Sequence, residues 1–458
     1  MELDLWGDML LFKATKEEFA QIKKFLTVKI YKQQYILEED LVSIEEHEQL
    51  VSASLEDDYV YGIAYPSALP YFLSLKPVLG ERLKKKLEQL TTQLIEVKER
   101  VKLRDYQQEA VNYWLEERLG VVGLPTGSGK TIVAIDIISQ LRCKTIIFVP
   151  TRTLVLQWYE RLKRYFKDVG VYPDNGLAPI TITTYQQFRK ASIFNEFGLA
   201  VFDEGHHLPA DKWWSIAKRN LFPYRLILTA TPYRQDKNHR ILLWYVKRRA
   251  FIKKYDELAR EGWLAPLDIN VIIIPPRNKE RLLQLYELYN SLRGVSKRTA
   301  SIKAQIRRLE EEDENKDKLI RYLVDKHRND KILIFTDYLS HAQKLAKLLH
   351  SPKITGQEDD KERKLAIEQF KKQGRLILTS AGEEGLDLPD ANVLIMLNVP
   401  TPLRLIQRIG RVARPKPKAY VYILLLETET KKIKKLNYGL FIGGIHYNVN
   451  ILKARGVF

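Results

Sequence analysis

Two short stretches hold residue types that could carry out phosphate chemistry. Leu124 to Thr131 reads LPTGSGKT, and Leu199 to His207 reads LAVFDEGHH. Phosphate-binding loops follow G-x-x-x-x-G-K-[ST]. Gly129, Lys130 and Thr131 fit the end of that pattern, but Leu124 stands where its first glycine belongs. The apolar run GVVGL leads in, and KTIVAIDIISQL, with the character of a helix, leads out. Strand, glycine loop and helix are what such a site requires, because backbone N–H groups and the positive end of the helix dipole then face an anion. In that setting Pro125, Thr126, Gly127, Ser128 and Gly129 form the cradle, Lys130 reaches the terminal phosphates and the Thr131 hydroxyl holds Mg2+. Asp203 follows the LAVF strand, at the edge where α/β folds bind ligands, and is placed to hold the metal through water. Glu204 is its second acidic partner and is placed to polarise an attacking water. The alternative is a glycine turn that caps a helix; the TGSGKT core between strand and helix argues against it.

The elements that must position these residues recur along the chain. GVVGLP, KTIIFVP, ITITTY, LAVFDE and RLILTAT are short, apolar and rich in β-branched residues, as are DINVIIIP, KILIFT, RLILTS, VLIMLN and AYVYILLLE further on. Such runs suit parallel strands buried on both faces, so an α/β fold with two sheets is expected. The organisation read from this is a small α+β domain over 1–80, a helix from 81 leading into a first α/β domain that ends near 250, a second over 251–440, and a tail over 441–458. The segment 277–325 has the length of a helical hairpin inserted in the second domain. Its first part, 277–308, carries nine basic and two acidic residues, and the following EEEDENKDK reads as a solvated acidic tip.

Composition narrows the partner. The chain has 458 residues, 45% hydrophobic and 29% charged, which suits a globular protein. A single cysteine, Cys143, excludes an internal disulfide framework and a cysteine zinc site. No signal-like start or membrane-length apolar run is present, so an intracellular, cytoplasmic and nucleoid-associated protein without a membrane partner is expected. The net charge is +18, while residues 1–80 carry 14 acidic and 7 basic side chains, or −7, which leaves +25 for the remainder. A basic body points to a polyanion such as nucleic acid. A lysine-rich solvated surface is the alternative.

The motifs resemble those of superfamily 2 helicases. DEGH matches the DExH signature, and around it LRDYQ (103–107), VPTRTLVLQW (149–158), TTYQ (183–186), TATP (229–232), KILIFTD, TSAGEEGLDLPDANV (379–393) and QRIGRVAR (407–414) follow in family order across about 100–415. The resemblance implies two RecA-like motor domains using ATP and Mg2+. It implies that Gln107, with Arg104, reads the adenine, that Gly385 and Asp387 reach the nucleotide, and that Gln407, Arg411 and Arg414 act at the γ-phosphate. Arg411 and Arg414, three apart, would share one face of a helix. A positioned guanidinium stabilises the charge of a phosphoryl-transfer transition state; an amphipathic basic helix that binds nucleic-acid backbone is the alternative. His206 would link motifs II and VI, with His207 in packing, and Thr229 and Thr231 would couple the sites. Thr151, Arg152, Thr183, Thr184, Thr379 and Ser380 suit phosphate contacts, which position a strand without reading sequence. Hydroxyls after strands also serve as helix caps.

Within that superfamily the chain is similar to the XPB-type DNA helicases in their short, archaeal-like form. LPTGSGKT, DEGHHLPA, a small domain ahead of the motor, a basic insert where the family has its thumb, and YRQD after TATP carry this likeness. It implies an ATP-dependent helicase or translocase on duplex or junction DNA, in repair or transcription, with a protein partner such as a nuclease. Arg234 and the thumb's Lys297, Arg298, Lys303, Arg307 and Arg308 would touch DNA. Two features depart from the family. Gln235 stands where it has glutamate, and the −7 of residues 1–80 disfavours broad contact with phosphates. An RNA-directed DExH ATPase and a non-enzymatic DNA-binding scaffold are the rival readings.

Overall fold

The computed structural model describes residues 1–35, 41–189, 195–231, 238–292, 297–381, 390–446 and 449–454. Two compact units emerge, one carried by Met1–Gln34, Leu41–Leu124 and Gly129–Ile252, the other by Tyr35, Pro125–Ser128 and Lys253–Phe458.

The first unit opens with β1 (Glu2–Trp6), β2 (Met9–Thr15), β3 (Thr27–Tyr35), β4 (Leu41–Gln49), β5 (Val51–Glu56), β6 (Tyr59–Ala64) and β7 (Val78–Leu79). These form a five-stranded sheet in the order β5-β6-β2-β1-β7 and a separate β3-β4 pair. Alternation decides its inner face: Leu10, Phe12 and Ala14 of β2 point into a core that also holds Leu3, Val60 and Phe72. The helix Lys16–Lys23 starts at a capping box, in which Thr15 Oγ1 accepts from Glu18 N and the Glu18 carboxylate accepts from Thr15 N.

The helix expected from 81 runs only over Glu81–Thr91. The hydroxyls of Thr91 and Thr92 donate back to Leu87 O and Glu88 O, at 2.8 and 2.7 Å, a bond that competes with helix continuation. The extended chain beyond finds other partners: Leu94 and Ile95 N–H donate to Arg142 O, and Lys98 N–H to Tyr165 O. A second helix, Asp105–Glu117, then precedes the motor strands.

Those strands are β8 (Leu119–Gly123), β9 (Thr145–Val149), β10 (Val169–Val171), β11 (Ile180–Thr184), β12 (Leu199–Phe202), β13 (Tyr224–Thr229) and β14 (Ala250–Ile252). They pair in parallel in the order β10-β11-β9-β12-β13-β8-β14. β14 lies in charged sequence read as the break between domains, yet it pairs with β8 and completes this sheet.

The second unit repeats the plan with β15 (Leu267–Ile274), β16 (Ile332–Thr336), β17 (Lys353–Ile354), β18 (Arg375–Thr379), β19 (Val393–Met396), β20 (Ala419–Leu426) and β21 (Val449–Lys453). All pairs are parallel, in the order β17-β18-β16-β19-β20-β15-β21. The segment expected as a tail therefore supplies an edge strand. Its side chains are exposed, so no apolar run announced it.

The insert holds the helices Lys279–Ser291, Lys297–Glu311 and Glu314–Lys326. EEEDENKDK is not a solvated tip. It joins the second helix to the third and is largely buried: Glu310, Glu311, Asp313, Asn315 and Asp317 are nearly inaccessible and Lys316 wholly so. Lys316 Nζ lies 2.8 Å from Glu429 Oε2 and donates to Leu397 O at 2.8 Å. The charges are hidden because each meets a partner.

Among its described residues the first unit buries one comparable cation. Arg225, on β13, is fully enclosed. Its guanidinium donates to Phe222 O, Ser67 O and Tyr245 O at 2.9 Å and to Pro66 O at 3.3 Å. It thereby ties the N-terminal domain to the motor sheet. Arg225→Met keeps the apolar stem but leaves buried carbonyls unmet. A loss of about 3 kcal/mol is expected, read by urea titration, with faster proteolysis near residues 66–67.

Candidate active site

β8 delivers the chain into the glycine loop. Leu124 is fully buried, and its N–H donates to Thr229 O at 3.1 Å, continuing the β8–β13 ladder by one step. The loop then turns on Ser128, whose N–H and hydroxyl both donate to Pro125 O, at 3.2 and 2.7 Å. Gly127 and Gly129 sit at φ +86° and +87°, a region closed to most side chains. A Cβ at Gly129 would also come within 2.5 Å of Gln107 Nε2. Gln107 is buried against the loop, and its Oε1 accepts from Arg104 N at 3.0 Å. Arg104 Nη1 donates to Tyr106 Oη at 3.2 Å. Lys130 and Thr131 open the helix Lys130–Leu141. Lys130 Nζ donates to Leu124 O at 3.1 Å, and Thr131 Oγ1 accepts from Arg161 at 3.2 Å.

The acidic pair stands at the end of β12. Asp203 Oδ2 accepts from Trp158 Nε1 at 2.7 Å and Oδ1 from Glu204 N at 3.0 Å. Tyr185 Oη donates to Asp203 O at 3.1 Å. Burial, then the adjacent Glu204 charge, pushes the Asp203 carboxyl up, against the Trp158 bond and the Lys130 charge. Burial also works to raise Glu204, but His206, Lys130 and His207 outweigh it and hold that carboxyl low. The pair thus has one acid that ionises readily and one that holds its proton more firmly.

Glu204 itself is left-handed, at φ +48° and ψ +46°, which costs an L-residue about 1–2 kcal/mol. The turn aims its carboxylate. Oε2 stands 3.3 Å from His206 Nδ1 and, among the described residues, is buried without a hydrogen bond of good geometry. His206 packs on His207, which packs on Trp213. Thr229 and Thr231, both buried, form a closed turn: Thr229 Oγ1 donates to Thr231 O at 2.8 Å and accepts from Thr231 N at 3.1 Å.

These residues fit a magnesium nucleotide. Gly127 and Gly129 put no side chain of their own between the loop and an anion, Lys130 stands at the loop, and a Glu204 carboxylate oxygen is buried without a hydrogen bond of good geometry. Among the described residues no group of three or more His, Cys, Asp or Glu could hold a metal.

In the second unit, Gln407 lies half-buried on the helix Pro402–Gly410. Arg411 and Arg414 do not share a helical face as expected. The helix ends at Gly410, Arg411 lies in the turn after it, and Arg414 lies in a bend, with its Nε 3.0 Å from Asp390 Oδ1. Pro415 follows, and a residue before proline is pushed out of the helical region. The sequence reading missed Arg408. It is buried, its guanidinium lies 4.4 Å from the Phe335 ring centroid, and Nη2 donates to Ser380 Oγ at 2.9 Å. It also missed Trp158, although the segment carrying it had been singled out. A tryptophan reads as core until its indole N–H is placed.

Four of the hydroxyls expected at phosphates have partners within the fold. Thr151 caps the helix Arg152–Tyr165, accepting from Leu154 N at 3.4 Å. Thr184 accepts from Gln187 N at 3.2 Å. Thr183 and Thr379 are buried and donate to Tyr172 O and Thr355 O, at 3.3 and 2.8 Å. Each is engaged by the fold. Ser380 Oγ donates to Asp337 Oδ1 at 2.8 Å. Arg152 is exposed and pairs with Asp174. On the helix Lys297–Glu311, Ile302 and Ile306 turn inwards, Arg298, Arg307 and Arg308 stay exposed, and Lys303 stands 5.8 Å from the Tyr289 ring centroid. Arg234, Gln235, Gly385, Asp387 and the Lys297 side chain lie outside the described residues.

Comparison with known proteins agrees with this geometry. Residues 100–234 match the family described as type III restriction enzyme, res subunit, and residues 314–416 the helicase conserved C-terminal domain. The chain is 32% identical over 368 residues to a protein named DNA 3'-5' translocase XPB2 from Sulfurisphaera tokodaii, covering 73% of this chain and 83% of the relative. It is 26% identical over 391 residues to the general transcription and DNA repair factor IIH helicase/translocase subunit XPB of Enterocytozoon bieneusi, covering 75% of this chain and 61% of that one. The crystal structure of the Pyrococcus furiosus Hef helicase domain shares the fold, with a TM-score of 0.51 at 18% identity over 73% of this chain and 98% of that one.

Trp158→Phe keeps the ring but removes the donor to Asp203. The Asp203 carboxyl then rises further, and a divalent cation must displace a more firmly held proton. Half-maximal ATPase is expected at several-fold higher Mg2+, with the shift greatest at acid pH; a Mg2+ titration at two pH values checks it.

Proposed function

Because the chain belongs to the XPB-type family of superfamily 2 helicases, we propose that it is an ATP-driven DNA helicase or translocase serving repair or transcription. The observation that carries the chemical part is the Glu204 carboxylate, turned by a left-handed backbone beside the glycine loop, held ionised, and left with an unsatisfied buried oxygen. Bound Mg2+–ATP supplies the scissile phosphate and the divalent charge.

The chain's own residues do the rest. Gly127 and Gly129 let backbone N–H groups approach the phosphates, and Lys130 exchanges its bond to Leu124 O for one to them. Thr131 and Asp203 would hold the metal, which would supply divalent charge to the phosphates, and Glu204 takes the proton of an attacking water. Gln107, braced on Arg104, faces the base. Gln407, Arg411 and Arg414 act as the transition-state groups of the family pattern, where a guanidinium stabilises the transferring phosphoryl charge.

The exposed Arg298, Arg307 and Arg308 support DNA backbone contact along the helix Lys297–Glu311, a sequence-independent grip that weakens with salt. Residues 1–80 form an accessory part of the first unit in this reading. Their −7 charge, with the exposed Trp6, Leu11 and Tyr59, supports a protein partner there; a nuclease is the class proposed.

ATPase assays with duplex DNA, single-stranded DNA and RNA test the assignment. The wild type is expected to respond to DNA, and stimulation by RNA alone would sink it. Lys130→Ala abolishes nucleotide binding. Glu204→Gln lowers turnover about 10²–10⁴-fold, the contribution of a positioned general base, while a fluorescent ATP analogue still binds.

A further inference from the structure

The run Glu310–Glu311–Glu312 closes the basic helix, and each carboxylate meets a different neighbour. Glu310 Oε1 accepts from Tyr286 Oη at 2.6 Å and from Thr428 Oγ1 at 3.1 Å, and its Oε2 lies 3.4 Å from Lys432 Nζ. Glu312 pairs with Arg308 at 3.2 Å and accepts from Ser340 Oγ. Glu311, buried, accepts through Oε1 from Thr336 Oγ1 at 2.6 Å and from the Asp337 backbone N–H.

From Asp337 the contacts continue. Its Oδ1 accepts from Ser380 Oγ at 2.8 Å, and Ser380 Oγ accepts from Arg408 Nη2 at 2.9 Å. Arg408 Nη2 lies 3.8 Å from Asp337 Oδ1. Four elements are thereby joined: the end of the basic helix, the end of β16, the end of β18, and the helix Pro402–Gly410. That last helix carries Gln407 and leads directly to Arg411. Buried Arg408 fixes its roll, because a guanidinium held by a ring face and a hydroxyl cannot rotate without losing both.

Burial, with the Asp337 charge nearby, pushes the Glu311 carboxyl up. The two donors at the end of β16 therefore hold its charge in place, and a shift of the basic helix must draw that strand end with it. Packed polar networks of this kind move between discrete arrangements and do not deform continuously.

We propose that Glu311 and Asp337 are positioning residues that carry nucleic-acid engagement at the basic helix to the helix of Gln407 and Arg411, through Ser380 and Arg408. The inference rests on the functional reading above. It makes Glu311 a determinant of how strongly DNA accelerates hydrolysis, separate from ATP chemistry and from DNA affinity.

The test uses the full chain. Glu311→Ala and Asp337→Ala are each compared with wild type for ATPase without DNA, ATPase with saturating duplex DNA, and DNA affinity by fluorescence anisotropy. Basal turnover and affinity are expected within about twofold of wild type, while DNA-stimulated turnover falls about tenfold, within the range of site-to-site coupling. Glu311→Gln, which keeps the accepting oxygen, restores the stimulation. The double variant loses no more than either single one, as expected for residues in one chain of contacts. Lys418→Ala, which removes an ion pair to Asp268 at the other ends of the strands, leaves stimulation intact.

Undiminished stimulation in both alanine variants overturns the inference. So does an equal loss in Lys418→Ala, or additive losses in the double variant. Should Glu311→Ala fail to fold, Asp337→Ala at the half-exposed end decides alone. A wild type that DNA does not stimulate overturns the functional reading and this inference together; a stimulated wild type with unaffected variants overturns the inference only.

Discussion

Taking a full charge out of water costs several kcal/mol even after the protein relaxes, unless opposite charge or aimed dipoles meet it. Among the described residues this chain does so at several places, four of which matter most here: Arg225, Lys316 with Glu429, Glu311, and Asp203 beside Glu204. Each is a junction. Arg225 fastens the N-terminal domain to the first motor sheet, and Lys316 with Glu429 fastens the insert to the second. Glu311 fastens the basic helix to the end of β16, and the acidic pair sits where β12 meets the glycine loop. The apolar strands supply most of the stabilisation, since burial of their side chains is non-directional. An apolar face tolerates small slips. A buried ion does not, because a slip leaves it unpaired.

The same condition explains what could be read from the sequence. The strands of both sheets were legible because a strand buried on both faces is a continuous apolar run, a local property. The glycine loop and the acidic pair were legible because their chemistry fixes residue types at fixed spacing. EEEDENKDK was misread because its burial is decided by partners far along the chain: Lys432 stands 122 residues from Glu310, and Glu429 113 from Lys316. Nothing local to the run announces them. β14 and β21 were hidden for the opposite reason. Edge strands need only one hydrogen-bonded neighbour, so β21 joins the sheet with exposed side chains.

The hydroxyls show a third kind of illegibility. Thr151, Thr183, Thr184 and Thr379 all follow or end strands, where a hydroxyl can meet a phosphate or a backbone group equally well. The backbone group is always present and always needs a partner when buried. In this fold it claims all four. Sequence position therefore carries little information about such residues, whereas an exposed arginine on the basic helix has no comparable internal competitor unless a carboxylate is near, as Glu312 is to Arg308.

Leu124 resolves in the same terms. A glycine is required in a phosphate loop only where the backbone turns left-handed or something presses on the α-carbon. Gly127 and Gly129 meet those conditions; Leu124 meets neither. Its backbone continues the strand, with its N–H on Thr229 O, and its side chain fills the sheet. Its carbonyl then becomes the resting partner of Lys130. Leu124 thus binds the loop to the strand that ends in the Thr229–Thr231 turn, so a movement of that turn pulls on the carbonyl that holds the lysine. A glycine there would permit the same hydrogen bonds but leave the chain free to bend between them, and the lysine would lose its fixed starting point.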